Sequence, residues 1–424
     1  MTHRFRAAAL VLLAAITAQG DEKVRRPGGG LWEDSSQWIG GLPTDLDSAA
    51  FGNNEFSSIS VQTPVTVTSL SFLAGQTKFD LAGGGSLNLT GDVGIRIGGN
   101  AGETVQASIT NGVLTCNAVS LSPEPTNQTS RLIAGTSGQI NTTSVVAGIA
   151  SFGSVGARGG AFSVSQDLTL GQSATGIGEG FSDGAGSSFH VGGLATVGAA
   201  GTATFSATSG GKSDFGSLVV GANVTSNAQV NVTGNGSRTI VLGDATIAGD
   251  GRGGITVGQG AEFSGAINVF LATGATGSTT ANIAGKFQAQ NLFVGGDGVT
   301  VGGTATVEIK PGANVQLDTL QIGALGTVTQ TGGNVFAQSL VGTTGSYKID
   351  SSVNPVTLTV GRDHVLGEGP LDATLVVRQG TTINFGQSLG VATASQLSFA
   401  GGGSRRIAWV ATAGGSSTCR AVAA

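Results

Sequence analysis

The chain has 424 residues, 74 of them Gly, with 11% charged residues and a formal charge of −5. Gly is more than twice its usual share of roughly 7%, and charge is less than half the usual ~25%. An acidic chain without basic clusters argues against nucleic acid or an anionic membrane surface as partner. Gly has no period of three, which excludes collagen, and 39% apolar residues with weak charge argue against disorder.

Residues 1–20 read as a secretory signal. Arg4 and Arg6 supply the positive start, Ala7 to Ala18 is an apolar run of twelve, and Ala18-Gln19-Gly20 places small residues for cleavage before Asp21. Twelve helical residues span about 18 Å, short of a ~30 Å hydrocarbon core. No later run reaches the length of a membrane helix, so the mature chain is expected to have no transmembrane helix and to be secreted or held in the cell envelope.

Residues 21–51 read as a linker and an amino-terminal cap. Asp21 to Gly30 is polar and ends in Gly. Trp32 and Trp38 follow, then Gly40-Gly41-Leu42-Pro43-Thr44, Asp47, Ala49 and Phe51. Two readings of the Trp pair are open: an exposed platform for a sugar, or the core of a cap over an unpaired strand edge. The cap is the favoured one.

Residues 52–400 have one texture. Short runs alternate Val, Ile, Leu, Phe or Ala with Thr, Ser, Gln or Asn, and Gly-rich turns separate them. In Thr304-Ala305-Thr306-Val307-Glu308-Ile309-Lys310 the apolar residues share one parity, the period of a half-buried strand. Many runs end apolar-x-apolar-Gly, as at Leu168–Gly171, Leu218–Gly221, Ile240–Gly243, Leu292–Gly295, Leu320–Gly323 and Leu358–Gly361. The spacing predicts a loose repeat of about 22 residues. Such a unit is too small to bury a face alone, whereas stacked coils share one core. The prediction is an all-β, right-handed parallel β-helix of about 16 coils and ~75 Å, at ~4.8 Å per coil. Phe205, Phe215, Phe263, Phe293 and Phe336 are expected to point inward. Gly serves the corners, and scarce charge follows from stacking like on like. A string of small β-sandwiches would need more even turns and more large core residues. Cys116 and Cys419 then lie about 14 coils apart, too far for a disulfide. Residues 401–424 are expected to be a disordered or loosely attached tail.

The Trp…Gln-Trp…Gly-x-Pro…Asp-x-Ala-x-Phe opening resembles the start of Gly-rich bacterial surface proteins. The runs ending Leu-x-Ile-Gly and the stretch Gly-Thr-Val-Thr-Gln-Thr-Gly-Gly-Asn (326–334) are similar to passenger-associated repeats of autotransporter-like and PEP-CTERM-type exported proteins. The resemblance implies a secreted or cell-surface β-solenoid with an adhesive or matrix-forming role. Its partners would be extracellular glycans or other cell-surface proteins.

Chemistry is sparse. Two His remain after the signal, His190 and His364, and two Cys, so neither a structural zinc site nor any cofactor is expected. Asp183, Asp214, Asp250 and Asp297 stand singly in Gly-rich stretches and read as turn residues. Arg362-Asp363-His364 is the one local concentration of reactive types. A functional reading makes His364 a base oriented by Asp363; the blander one is a polar loop. The weak binding candidates are therefore Arg362, Asp363, His364, Trp32 and Trp38. The expected function is structural or adhesive without catalysis. The alternative is a carbohydrate-binding or polysaccharide-cleaving β-helix whose site lies on one lateral face, where carboxylates from neighbouring coils would have to converge.

Overall fold

The computed structural model describes residues 20–99, 102–125, 128–342, 345–349, 354 and 356–360, and the strand backbones of 364–366, 374–378, 381–385, 389–391, 396–400, 408–411 and 417–420. Among the described residues there is no α-helix, and the strands wind into a parallel β-solenoid of about 13 turns with extra strands at the amino-terminal end. Each turn has three sides. In one turn Thr202–Thr208 forms the second sheet, and Lys212–Val220 bends at Gly216 to supply both the third and the first. Each strand pairs with its equivalents in the turns before and after, as Thr204 does with Glu179 and Gln229.

Alternation explains the core. Ala203, Phe205, Ala207, Ser213, Phe215, Leu218 and Val220 point inward, and their neighbours face solvent. A parallel register sets like above like, so aromatic rings stack inside. Phe162 and Phe189 lie 5.0 Å apart and nearly parallel, and Phe205 meets Phe189 and Phe215 edge-on. Phe263 stacks on Phe287 at 5.4 Å. Outside, polar ladders link successive turns. Asn291 donates to Asn268 and Asn268 to Asp244, each at 2.9 Å. Where charges do stack, signs mix: Glu262 stands between Arg238 and Lys286, at 3.8 and 3.0 Å.

The corner after the first sheet is left-handed in eight successive turns, at Ser122, Gly148, Gly171, Gly198, Gly221, Ala248, Ala272 and Gly295. At Gly221 the requirement for Gly is twofold. Its φ is +70°, and a Cβ would sit 2.4 Å from the Arg252 carbonyl oxygen.

Two sequence expectations are corrected, the repeat length and the facing of two Phe residues. The first-sheet register runs from Val24 to Val341 in thirteen steps of 20 to 28 residues, about 24 per turn instead of 22. Those thirteen steps span about 60 Å. Phe293 and Phe336 point outward: Phe293 stacks on Phe270 at 5.0 Å, and Phe336 is 41% exposed. The strand Ser48–Ser60 runs through residue 51, so the cap module and the first turn share it. Within 401–424, Ala408–Ala411 and Ser417–Arg420 pair antiparallel, and Thr418 pairs with Gly390. Cys116 is buried and free, eleven rungs from the Leu389–Val391 strand beside which Cys419's strand pairs, on the order of 50 Å.

Candidate functional site

The two Trp residues lie in the cap. Glu22–Arg25 pairs parallel with Ser48–Ser60 and antiparallel with Trp38–Ile39, covering the first turn's edge. Trp32 and Trp38 are 1% and 3% exposed and meet edge-on at 4.7 Å, and the Trp38 indole N–H donates to the Trp32 carbonyl at 2.9 Å. Phe51, Phe72 and Phe79 continue this cluster into the first turns. The Arg25 guanidinium lies 5.1 Å over the Trp38 ring and donates to the Leu31 carbonyl. Rings this enclosed cannot stack on a sugar while the cap is closed. Arg362 and Asp363 lie outside the described residues. His364 opens the strand His364–Leu366, registered on Leu389, and its side chain lies outside the described part.

The Asp residues divide. Asp297 is a turn residue, accepting from the Thr300 and Val299 amides at 2.6 and 2.9 Å; these bonds hold its carboxyl below the usual range. Asp250 also lies in a bend. Asp183 and Asp214 lie on strands instead. Asp214 faces out beside its registered neighbour His190, and their side chains are hydrogen-bonded and well exposed. Among the described residues no three His, Cys, Asp or Glu side chains gather as a metal group. Burial pushes the Cys116 thiol up to about 11, which keeps it protonated and unreactive.

A groove of about 340 Å³ lies where the third sheet bends into the first, within the usual size range of ligand sites. Its walls come from four successive turns, through Gly265, Gln288, Gln290, Gln316, Asp318 and Phe336. Gln288, Gln316 and Phe336 form one outward column by register. The column is open at Gly265 because the strand Glu262–Leu271 carries an extra residue there. Phe263 pairs with Phe287 but Ala266 with Ala289, so Ser264 and Gly265 together face Gln288. Ser264 is buried, and Gly265 has no side chain to stand over Gln288. Its φ is +95°, and a Cβ would lie 2.8 Å from the Val241 carbonyl oxygen. At the other end the exposed Phe336 ring closes the groove.

Sequence reasoning missed this site. Its members are 20 and 28 residues apart in one column, Gln316 to Phe336 and Gln288 to Gln316, so no local motif marks them. The available signal was the outward parity of Gln288, Gln290, Gln316 and Asp318. No helix among the described residues is long and apolar enough to cross a membrane. No family model, curated protein or solved structure matches the chain.

Proposed function

We propose that this chain is an exported structural or adhesive rod that works by displaying its lateral faces, without catalysis. The observation that carries this reading is the repeat itself. About 13 turns share one core, and the strands pair along the axis with the turn above and below. What remains for a partner is a long, stiff surface of outward side chains. The apolar run Ala7–Ala18 and the small residues before Asp21 support export. The groove's lining has a single carboxylate, Asp318, whereas acid–base cleavage of glycosidic bonds uses two. The test is to express the full chain in a bacterial host, fractionate the cells and sequence the recovered amino terminus. Beads coated with the purified chain then report adhesion to bacterial or host-cell surfaces. The expected result is a chain outside the cytoplasm that begins at Asp21 and makes beads adhere. A cytoplasmic chain retaining residues 1–20, or beads that do not adhere, contradicts the proposal.

A further inference from the structure

We infer that the groove over Gln288, Gln316 and Phe336 is a binding site for a neutral, hydroxyl-rich glycan chain lying along the solenoid axis. The inference deepens the adhesive reading and rests on it for the extracellular setting of the ligand.

Hydrogen-bonding capacity points to such a ligand first. Some outward amides elsewhere on this surface are engaged between turns, while others, such as Gln106, Asn141 and Asn231, are open to solvent as well. Asn291 bonds Asn268, Gln229 bonds Thr256 at 3.1 Å, and Gln321 bonds the Gly298 carbonyl at 3.0 Å. In the groove, Gln288, Gln290, Gln316 and Asp318 have no side-chain hydrogen bond or ion pair among the described residues. Three free amides, each offering both donors and an acceptor, stand beside a carboxylate that only accepts. That set suits vicinal hydroxyls, which donate and accept at once. The second argument is the ring. Phe336 is 41% exposed at the groove's end, an apolar plate for the C–H face of a sugar. The third is charge. No Lys or Arg lines the groove, and the nearby Lys286 is held by Glu262 at 3.0 Å. An anionic uronate, sulfate or phosphate chain would meet Asp318 without a compensating cation. The fourth is shape. Gly265 to Phe336 spans three rungs, about 14 Å, room for a short run of sugar rings end to end. An extended peptide is disfavoured because it binds a sheet through an unpaired strand edge, and these strands pair with neighbours on both sides.

The test titrates the full mature chain by calorimetry with short cello-, malto-, manno- and chito-oligosaccharides, and with oligogalacturonate as the anionic comparison. Phe336→Ala and Gln316→Ala remove outward side chains, so circular dichroism and the urea midpoint should be unchanged. The expected result is saturable binding of at least one neutral series and none of oligogalacturonate. Each substitution should weaken that binding tenfold or more, which is about 1.4 kcal/mol. The inference is overturned if no neutral series saturates, if oligogalacturonate binds best, or if affinity survives both substitutions. Bead adhesion run in parallel separates the two claims. Adhesion without oligosaccharide binding overturns the groove alone, and loss of adhesion in the unsubstituted chain overturns the adhesive reading.

Discussion

Gly221→Ala probes the corner on which the stack depends. Gly221 has φ +70°, and an added Cβ would lie 2.4 Å from the Arg252 oxygen and 2.8 Å from its carbonyl carbon. Both atoms are main chain, held in the second sheet between Asn227 and Ser278, so neither can swing aside. Left-handed backbone costs an L-residue about 1–2 kcal/mol. Relieving the overlap adds about 1–3 kcal/mol, and the stiffer unfolded chain offsets about 0.4–1 kcal/mol. The net expectation is a loss of about 2–4 kcal/mol. Ala248 occupies the same corner one turn later, buried and with φ +60°. Ala248→Gly relieves the strain but removes a buried methyl worth about 0.8 kcal/mol and loosens the unfolded chain, so it should fall within about 1 kcal/mol of zero. Urea unfolding followed by far-ultraviolet circular dichroism measures both. A Gly221→Ala midpoint matching the unsubstituted chain, or an equal loss from Ala248→Gly, would refute the reasoning.

Three further outcomes follow from buried polar groups. Tyr347 is enclosed in the core and its hydroxyl donates to Gln330 Oε1 at 2.8 Å, while Gln330 Nε2 donates to the Gly333 and Thr357 carbonyls; Tyr347→Phe strands that oxygen and should cost about 1–3 kcal/mol in urea unfolding. Cys116 should resist a maleimide at neutral pH until the chain unfolds, as read by mass mapping; prompt labelling in the folded chain would contradict its burial. Asp47 is held below the usual carboxylate range, first by the Thr44 amide and then by the Thr44 hydroxyl, the Asp21 nitrogen and Lys23 at 3.8 Å, against the opposing effect of burial. A depressed carboxyl stabilises the fold above its unfolded pKa of about 4 and ceases to do so as pH falls through the folded value. Protection factors of the Glu22–Arg25 amides, corrected for the intrinsic pH dependence of exchange, should therefore fall below about pH 4, and Asp47→Asn should remove that fall.

The solenoid was legible because parity survives in single strands. Thr304 to Lys310 alternates in burial as its residue types alternate, and Leu168, Leu170, Leu218 and Val220 all face inward. The repeat length was misread because two corners share one local motif. Gly243 follows a third-sheet strand, whereas Gly171, Gly198 and Gly221 follow first-sheet strands. Counting across both shortened the apparent period. The true equivalents of Gly221 in the next two turns are Ala248 and Ala272, where no Gly announces the corner. Phe336 was misplaced for a related reason. Its parity belongs to the register that sets it beside Gln316, which is visible only once the turns are stacked. The groove was hidden in the same way. It needs a bulge at Gly265 and side chains from four turns, and a linear sequence encodes neither adjacency nor the empty space above Gln288.

The most direct test of the account sets retention against turnover. The purified chain, starting at Asp21, is incubated with neutral polysaccharides that contain the best-binding oligosaccharide. The bound fraction and newly formed reducing ends are then followed together. The account predicts retention that Phe336→Ala abolishes, with no reducing ends above the protein-free control. Reducing ends that accumulate with the unsubstituted chain, and fall when Asp318 is changed to Asn, would contradict it.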